Sequence, residues 1–136
     1  MKKILLLTAV ILMSASCIRE TYELHEGARL NVQYITIQPR EWVANSGFAS
    51  VTYRMDMITS AVINRGAVLC YFVNTDDIES PLPFIVTQVD NDFIFTNTLS
   101  FDVGVRSIRF ISENSDLVVE FPTRPITIKV VTIVNP

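Results

Sequence analysis

Three side chains in this sequence have soft-nucleophile or near-neutral acid–base chemistry: Cys17, Cys70 and His25. Cys17 stands apart because of what precedes it. Lys2 and Lys3 follow Met1, Ile4 to Met13 form an apolar run of ten residues, and Ser14, Ala15 and Ser16 are small. That order of positive, apolar and small residues is a secretory signal peptide. Small neighbours leave the Cys17 thiol unhindered at the cleavage point. Cys70 sits differently, in Ala67-Val68-Leu69-Cys70-Tyr71-Phe72, where every neighbour is apolar. A reactive thiolate needs an accessible, electropositive setting, so Cys70 reads as a small buried hydrophobe.

Other chemistries lack parts. A Ser-His-Asp or Cys-His site needs a histidine held beside the nucleophile, and His25 falls in the polar stretch from Ile18 to Arg29. A zinc site needs three or four His, Cys or carboxylate ligands. The four glycines, Gly27, Gly47, Gly66 and Gly104, make no phosphate-cradling loop. Two acidic clusters, Asp76-Asp77 with Glu79 and Asp90 with Asp92 around Asn91, offer oxygen ligands of the kind calcium takes. Neither has the spacing of a calcium loop, and both read as solvated turns. A glycosidase pair needs a fixed carboxylate separation, which this spacing does not supply. The expectation is a non-enzymatic protein with no catalytic, metal-binding or cofactor-binding residue. Trp42, Tyr22, Tyr34, Tyr53, Tyr71 and Phe48 are the candidates for a sugar-stacking platform. Most fall on apolar strand faces and read as core. Trp42 follows Pro39-Arg40-Glu41 near a strand end and is expected to be partly exposed.

Ser14-Ala15-Ser16-Cys17 resembles the lipobox of bacterial lipoproteins. The resemblance implies that the Cys17 thiol receives a diacylglycerol, that the peptide is cut before Cys17, and that the new amine is acylated, with chains such as palmitate. Ser14 stands where that family usually has Leu. Ser14 and Ser16 also meet the small-x-small rule of ordinary signal peptidase, which would give a plain secreted protein. A ten-residue apolar run is half of the about 20 residues that span a bilayer, so anchoring falls to lipid, and stable anchoring takes more than one chain. Ile18 rather than Asp after the cysteine is, by the same resemblance, permissive for transfer to the outer membrane.

Cleavage before Cys17 leaves 120 of 136 residues, enough for one domain with a single core. Nine Lys and Arg then face 14 Asp and Glu, a net charge of −5, and Lys129 is the sole remaining lysine. Nucleic acid is excluded by that balance, and charge-driven binding to anionic lipid is disfavoured. With Cys17 lipidated, Cys70 has no partner for a disulfide, so core packing must hold the domain.

The elements that position these residues follow a two-residue period from Leu30 onward. Val51, Tyr53, Met55 and Met57 alternate with polar residues, the pattern of a half-buried strand. Eight strands are expected, at 32–38, 48–57, 67–73, 84–89, 92–96, 98–103, 106–111 and 126–134, with 92–103 open to being one long strand. In the last of these the apolar phase shifts at Val131 and Ile133, the mark of a β-bulge, and Ile35 after Tyr34 marks a similar slip in the first. The strand through Val68, Cys70 and Phe72 is expected to be central and covered on both faces. Turn residues stand at Asn45-Ser46-Gly47, Asn74-Thr75-Asp76-Asp77, Asp90-Asn91-Asp92 and Glu113-Asn114-Ser115-Asp116. Ile58, Ala61, Val62 and Arg65 fall at helical spacing with Gly66 as a cap, giving one short helical turn. Arg54, Arg109 and Lys129 read as outer-face residues paired across strands with Asp56 or Glu120.

Together these give an all-β fold: an antiparallel β-sandwich, immunoglobulin-like, of seven or eight strands with one short helical turn. A barrel is the second architecture. The domain plan is a signal peptide over 1–16, a polar tether over 17–29 and a β-sandwich over 30–136. Trp42, Gly66-Ala67-Val68-Leu69-Cys70-Tyr71, Leu82-Pro83 and Ile128-Lys129-Val130-Val131-Thr132-Ile133 resemble small uncharacterised lipoproteins of anaerobic Gram-negative bacteria. That resemblance implies a β-sandwich and no particular activity.

The expected function is that of a lipid-anchored envelope protein, probing the membrane only through its N-terminal lipid, that binds or supports another envelope protein. A carbohydrate-binding surface lipoprotein is the alternative, with a glycan as partner. A small hydrolase would need carboxylates clustered in one cleft, and a fimbrial subunit would need a longer chain. Phe84 to Val89 and Ile126 to Val134 carry few charges, so either would invite an added strand if it lay at a sheet edge.

Overall fold

The computed structural model describes residues 27–90 and 93–135. The signal segment 1–16, Cys17, Tyr22 and His25 lie outside the described residues, as do Asn91 and Asp92. Nine strands are present: β1 (Arg29–Ile37), β2 (Val43–Ala44), β3 (Phe48–Arg54), β4 (Gly66–Val73), β5 (Glu79–Pro81), β6 (Phe84–Asp90), β7 (Phe93–Gly104), β8 (Ser107–Asn114) and β9 (Ile126–Val134). A 3-10 turn (Pro39–Glu41) and a six-residue helix, α1 (Ser60–Arg65), complete the set. Two antiparallel sheets form the sandwich, with orders β1-β9-β4-β5 and β2-β3-β8-β7-β6.

The core fills the space between the sheets. Ile35 and Ile37 of β1, Ile128 and Val130 of β9 and Cys70 of β4 meet Ala49 and Val51 of β3 and Ile108 and Phe110 of β8. The period-two reading of β3 holds to Arg54, where the strand ends; Met55 is buried beyond it, with its N–H bonded to the Arg106 carbonyl at 3.0 Å. α1 forms as the spacing predicts. Thr59 caps it by accepting the Val62 N–H, and Val62 is its buried residue. Two short strands, β2 and β5, escaped the pattern because two or three residues show no period.

The bulge expected in β9 is absent. Its register runs unbroken from Ile126 to Val134 against both β1 and β4. The apparent phase slip is instead a threonine facing inward: Thr132 is fully buried, opposite Asn31 of β1, and accepts a long 3.5 Å bond from the Asn31 amide. β1 is likewise regular; Asn31 and Gln33 share the inward parity of Ile35 and Ile37. β4 lies inside its sheet, between β9 and β5, but only one of its faces is covered. Leu69 is 41% exposed and Ala67 is exposed on the other. The stretch 92–103 is a single strand, the twelve-residue β7.

Candidate functional site

Between β4 of one sheet and β6 of the other lies a cleft of about 300 Å³. Its residues follow from strand parity. Along β6 the side chains of Phe84, Val86 and Gln88 line the cleft, while Ile85 and Val89 are exposed on the outer face. Phe72 of β4 stacks on Phe84 with ring centroids 5.3 Å apart. Leu99 and Asn97 of β7 and Ser112 of β8 form the floor, and Glu120, Phe121, Pro122 and Ile126 form the far wall.

Asn97, Ser112 and Glu120 of this cleft are tied together, the last through Asn114. The Asn97 amide donates to Ser112 Oγ at 3.2 Å and to Asn114 Oδ1 at 2.7 Å. The Asn114 amide donates to the Val118 carbonyl at 3.2 Å and to Glu120 Oε2 at 3.3 Å. Buried polar groups must find such partners, and here they tie the segment after β8 to the sheet. The cleft therefore offers apolar walls, a few amides and one carboxylate, which suits apolar or peptide-like side chains.

The structure moves several residues that the sequence singled out. Trp42 is 5% exposed, not half open. It caps the 3-10 turn that carries the chain from one sheet to the other, and its indole joins the core there. That removes the leading residue of a sugar platform. Tyr53 is half buried, and its hydroxyl donates to Glu41 Oε1 at 3.0 Å. Burial, together with the neighbouring Glu41 carboxylate, pushes the Tyr53 hydroxyl up to about 12. Glu41 is held below the usual carboxylate range by the Gln38 N–H at 2.6 Å and by that Tyr53 hydroxyl. This pair closes the turn. Tyr34 is exposed and Tyr71 half buried, flanking Lys129 in one row on the outer face of the four-stranded sheet.

The charged residues pair locally. Lys129 donates to both Glu79 oxygens at 2.9 Å, and Arg109 pairs with Asp102 across β7 and β8. Arg54 bonds Asp56 two residues along rather than across a strand. Neither Arg109 nor Lys129 takes the Asp56 or Glu120 partner expected: Asp102 stands opposite Arg109 in register, and Lys129 reaches across β4 to Glu79 of β5. Glu79 is thereby removed from the Asp76–Asp77 cluster. Asn74 Oδ1 accepts the N–H groups of Asp76 and Ile78, the bonds of a turn. Among the described residues no three His, Cys, Asp or Glu side chains come together as metal ligands.

Cys70 is buried and free, and burial pushes its thiol up to about 12. The folded protein is therefore expected to resist a thiol-alkylating reagent at pH 8, and to react within minutes once denaturant is added. Mass spectrometry of the tryptic peptide reads this out. Alkylation of Cys70 at equal rates in both states would show that the strand opens freely.

Comparison with protein-family models, with curated proteins and with solved structures finds no match. The functional reading rests on the chain's own surface, and the sequence missed the main feature of that surface. Phe121, Pro122 and the amides of Asn97 and Asn114 carried no pattern, because a cleft wall built by an irregular segment has no period.

Proposed function

We propose that this protein is a non-enzymatic, lipid-anchored component of the cell envelope, placed at the outer membrane, that binds or supports another envelope protein. One observation carries the binding role. On the β6–β7 hairpin Val89 and Ile94 stand opposite each other at 70% and 74% exposure on the outer face, and Phe93, on the other face, is 78% exposed. Scattered exposed hydrophobes are ordinary, but a contiguous apolar patch marks an interaction surface.

The anchor rests on Cys17 and its export signal. The part of the 17–29 stretch that precedes β1 then acts as a tether, with a reach of at most about 40 Å. It enters the fold at β1, where Arg29 and Arg65 border a second cleft of about 460 Å³. Two cations near the anchored end suit lipid phosphates. An immunoglobulin-like arrangement is part of this reading; crossings between the sheets after β1, β3, β5 and β8 support it.

A carbohydrate-binding role is the second reading. It keeps Tyr34 and Tyr71 beside Lys129, whose Nζ lies 5.7 Å from the Tyr71 ring centroid, and it loses Trp42.

Lipidation has a direct test. Cys17→Ala is expected to move the protein from the detergent phase to the aqueous phase in a phase-partition assay, and to abolish labelling by a radioactive fatty acid. Unchanged partitioning would overturn the anchor.

A further inference from the structure

Four strands end the two sheets, and three of them are guarded. β5 is three residues long and contains Pro81, and β2 is two residues long. β1 is longer, but Arg29, Asn31 and Gln33 occupy the inward parity over its first half, so an added strand would cover polar side chains there. Short strands, proline and inward polar residues are the usual means of blocking an edge. β6 is neither short nor broken by proline, and Phe84 and Val86 hold its inward parity before Gln88. It is seven residues long, contains no Pro, Lys or Arg, and among the described residues pairs with β7 alone. Among the described residues, the backbone N–H and C=O groups on its other side have no strand partner.

The cleft runs beside this same edge. Val86, at 38% exposure, and Phe84 project from β6 toward Phe72, Leu99, Phe121 and Ile126. A row of backbone donors and acceptors is met only by another extended backbone. The alternate side chains of that backbone would fall into the cleft, where apolar ones fit. A second copy pairing β6 on β6 about a two-fold axis would keep its own Phe84 and Val86 over its own cleft, and would fill neither. The lipid is also poorly placed: the tether enters at β1, on the opposite side of the sandwich from β6.

We infer that the β6 edge binds an extended segment of another envelope protein, added as a sixth strand, with apolar residues at alternate positions buried in the cleft. This deepens the binding role proposed above and rests on it.

The test uses the full lipidated chain in the envelope of the bacterium that makes it. A photo-reactive phenylalanine analogue replaces Thr87, which is exposed on β6, or Thr52, which is exposed on the interior strand β3. An adduct is expected from position 87 and not from 52, and its cross-linked peptide, sequenced by mass spectrometry, has apolar residues at alternate positions. Val86→Lys lets the lysine reach water while the edge is free but buries its charge under an added strand. It is expected to cut the adduct at least about tenfold with the thermal midpoint unchanged. Gln88→Lys, at an exposed position, repeats the test should Val86→Lys fold poorly. An adduct with a second copy, equal adducts from 52 and 87, full yield in both lysine variants, or no adduct would each overturn the proposal. An adduct confined to 52 would leave the binding role standing and move its surface.

Discussion

Gly66→Ala is expected to destabilise the domain by about 3 kcal/mol or more, beyond the usual cost of one extra methyl group. Gly66 has φ −135° and ψ −155°, an extended conformation open to any residue, so backbone strain is not the reason. Space is. A Cβ at this position would lie 2.0 Å from the Ile133 carbonyl oxygen and 2.9 Å from that of Val62. Both are backbone atoms, the first in the β9 ladder and the second in α1, and neither can swing away as a side chain would. The Gly66 N–H also donates to the Val62 carbonyl, so a shift that relieves the clash breaks the end of α1. Gly104→Ala is the matched control. Its Cβ would meet only Ser107 Oγ, at 2.7 Å, and a serine rotamer can turn. Thermal unfolding should show a loss of more than about 10 °C for Gly66→Ala and a few degrees for Gly104→Ala. Equal losses would refute the close approach.

Gly66 shows what was legible in this sequence and what was not. Helical spacing from Ile58 to Arg65 followed by glycine pointed to a helix end, and α1 ends there. The deeper reason for glycine is the neighbouring strand β9, 67 residues later in the chain, and no local pattern reports it. The same limit applies to Thr132. Alternation reads an inward threonine as a slip of phase, because polarity stands in for orientation until the partner strand is known. Register against β1 and β4 shows a straight strand with one polar residue inside.

Trp42 and the cleft show the limit at the surface. Three polar or turn-forming residues before Trp42 argue for exposure, yet the turn they form swings the indole inward. Phe84 to Val89 was legible as a strand with few charges, but sequence does not say which strands end a sheet. Sheet order does, and it separates two segments of the same composition: β9 is central, while β6 is open. Neither signal alone would place a partner strand. A low-charge strand in the middle of a sheet is ordinary core, and an open edge without a cleft would bind backbone with little selectivity for side chains.

Phe110→Ala is expected to cost about 3–5 kcal/mol, the range for deleting a buried phenylalanine ring. Phe110 lies on β8, the middle strand of the five-stranded sheet, and is fully buried. It stands opposite Val51 of β3 and Phe101 of β7, with the Tyr53 ring 6.4 Å away and tilted by 58°. Atoms on strands paired from both sides cannot close over a missing ring, so the cavity persists and the full cost is felt. The described residues contain no disulfide to offset it; Cys70 is free. Domains of this size are stable by about 5–15 kcal/mol, so one substitution removes a large share. Urea unfolding should show a lower midpoint at unchanged slope, the sign of lost stability without a change in the unfolded chain. Phe93→Ala provides the contrast. That ring is 78% exposed on the hairpin, and its loss should change stability by no more than about 0.5 kcal/mol. A comparable loss at Phe93 would mean that the hairpin is part of the core, and its apolar surface would then no longer point to a partner.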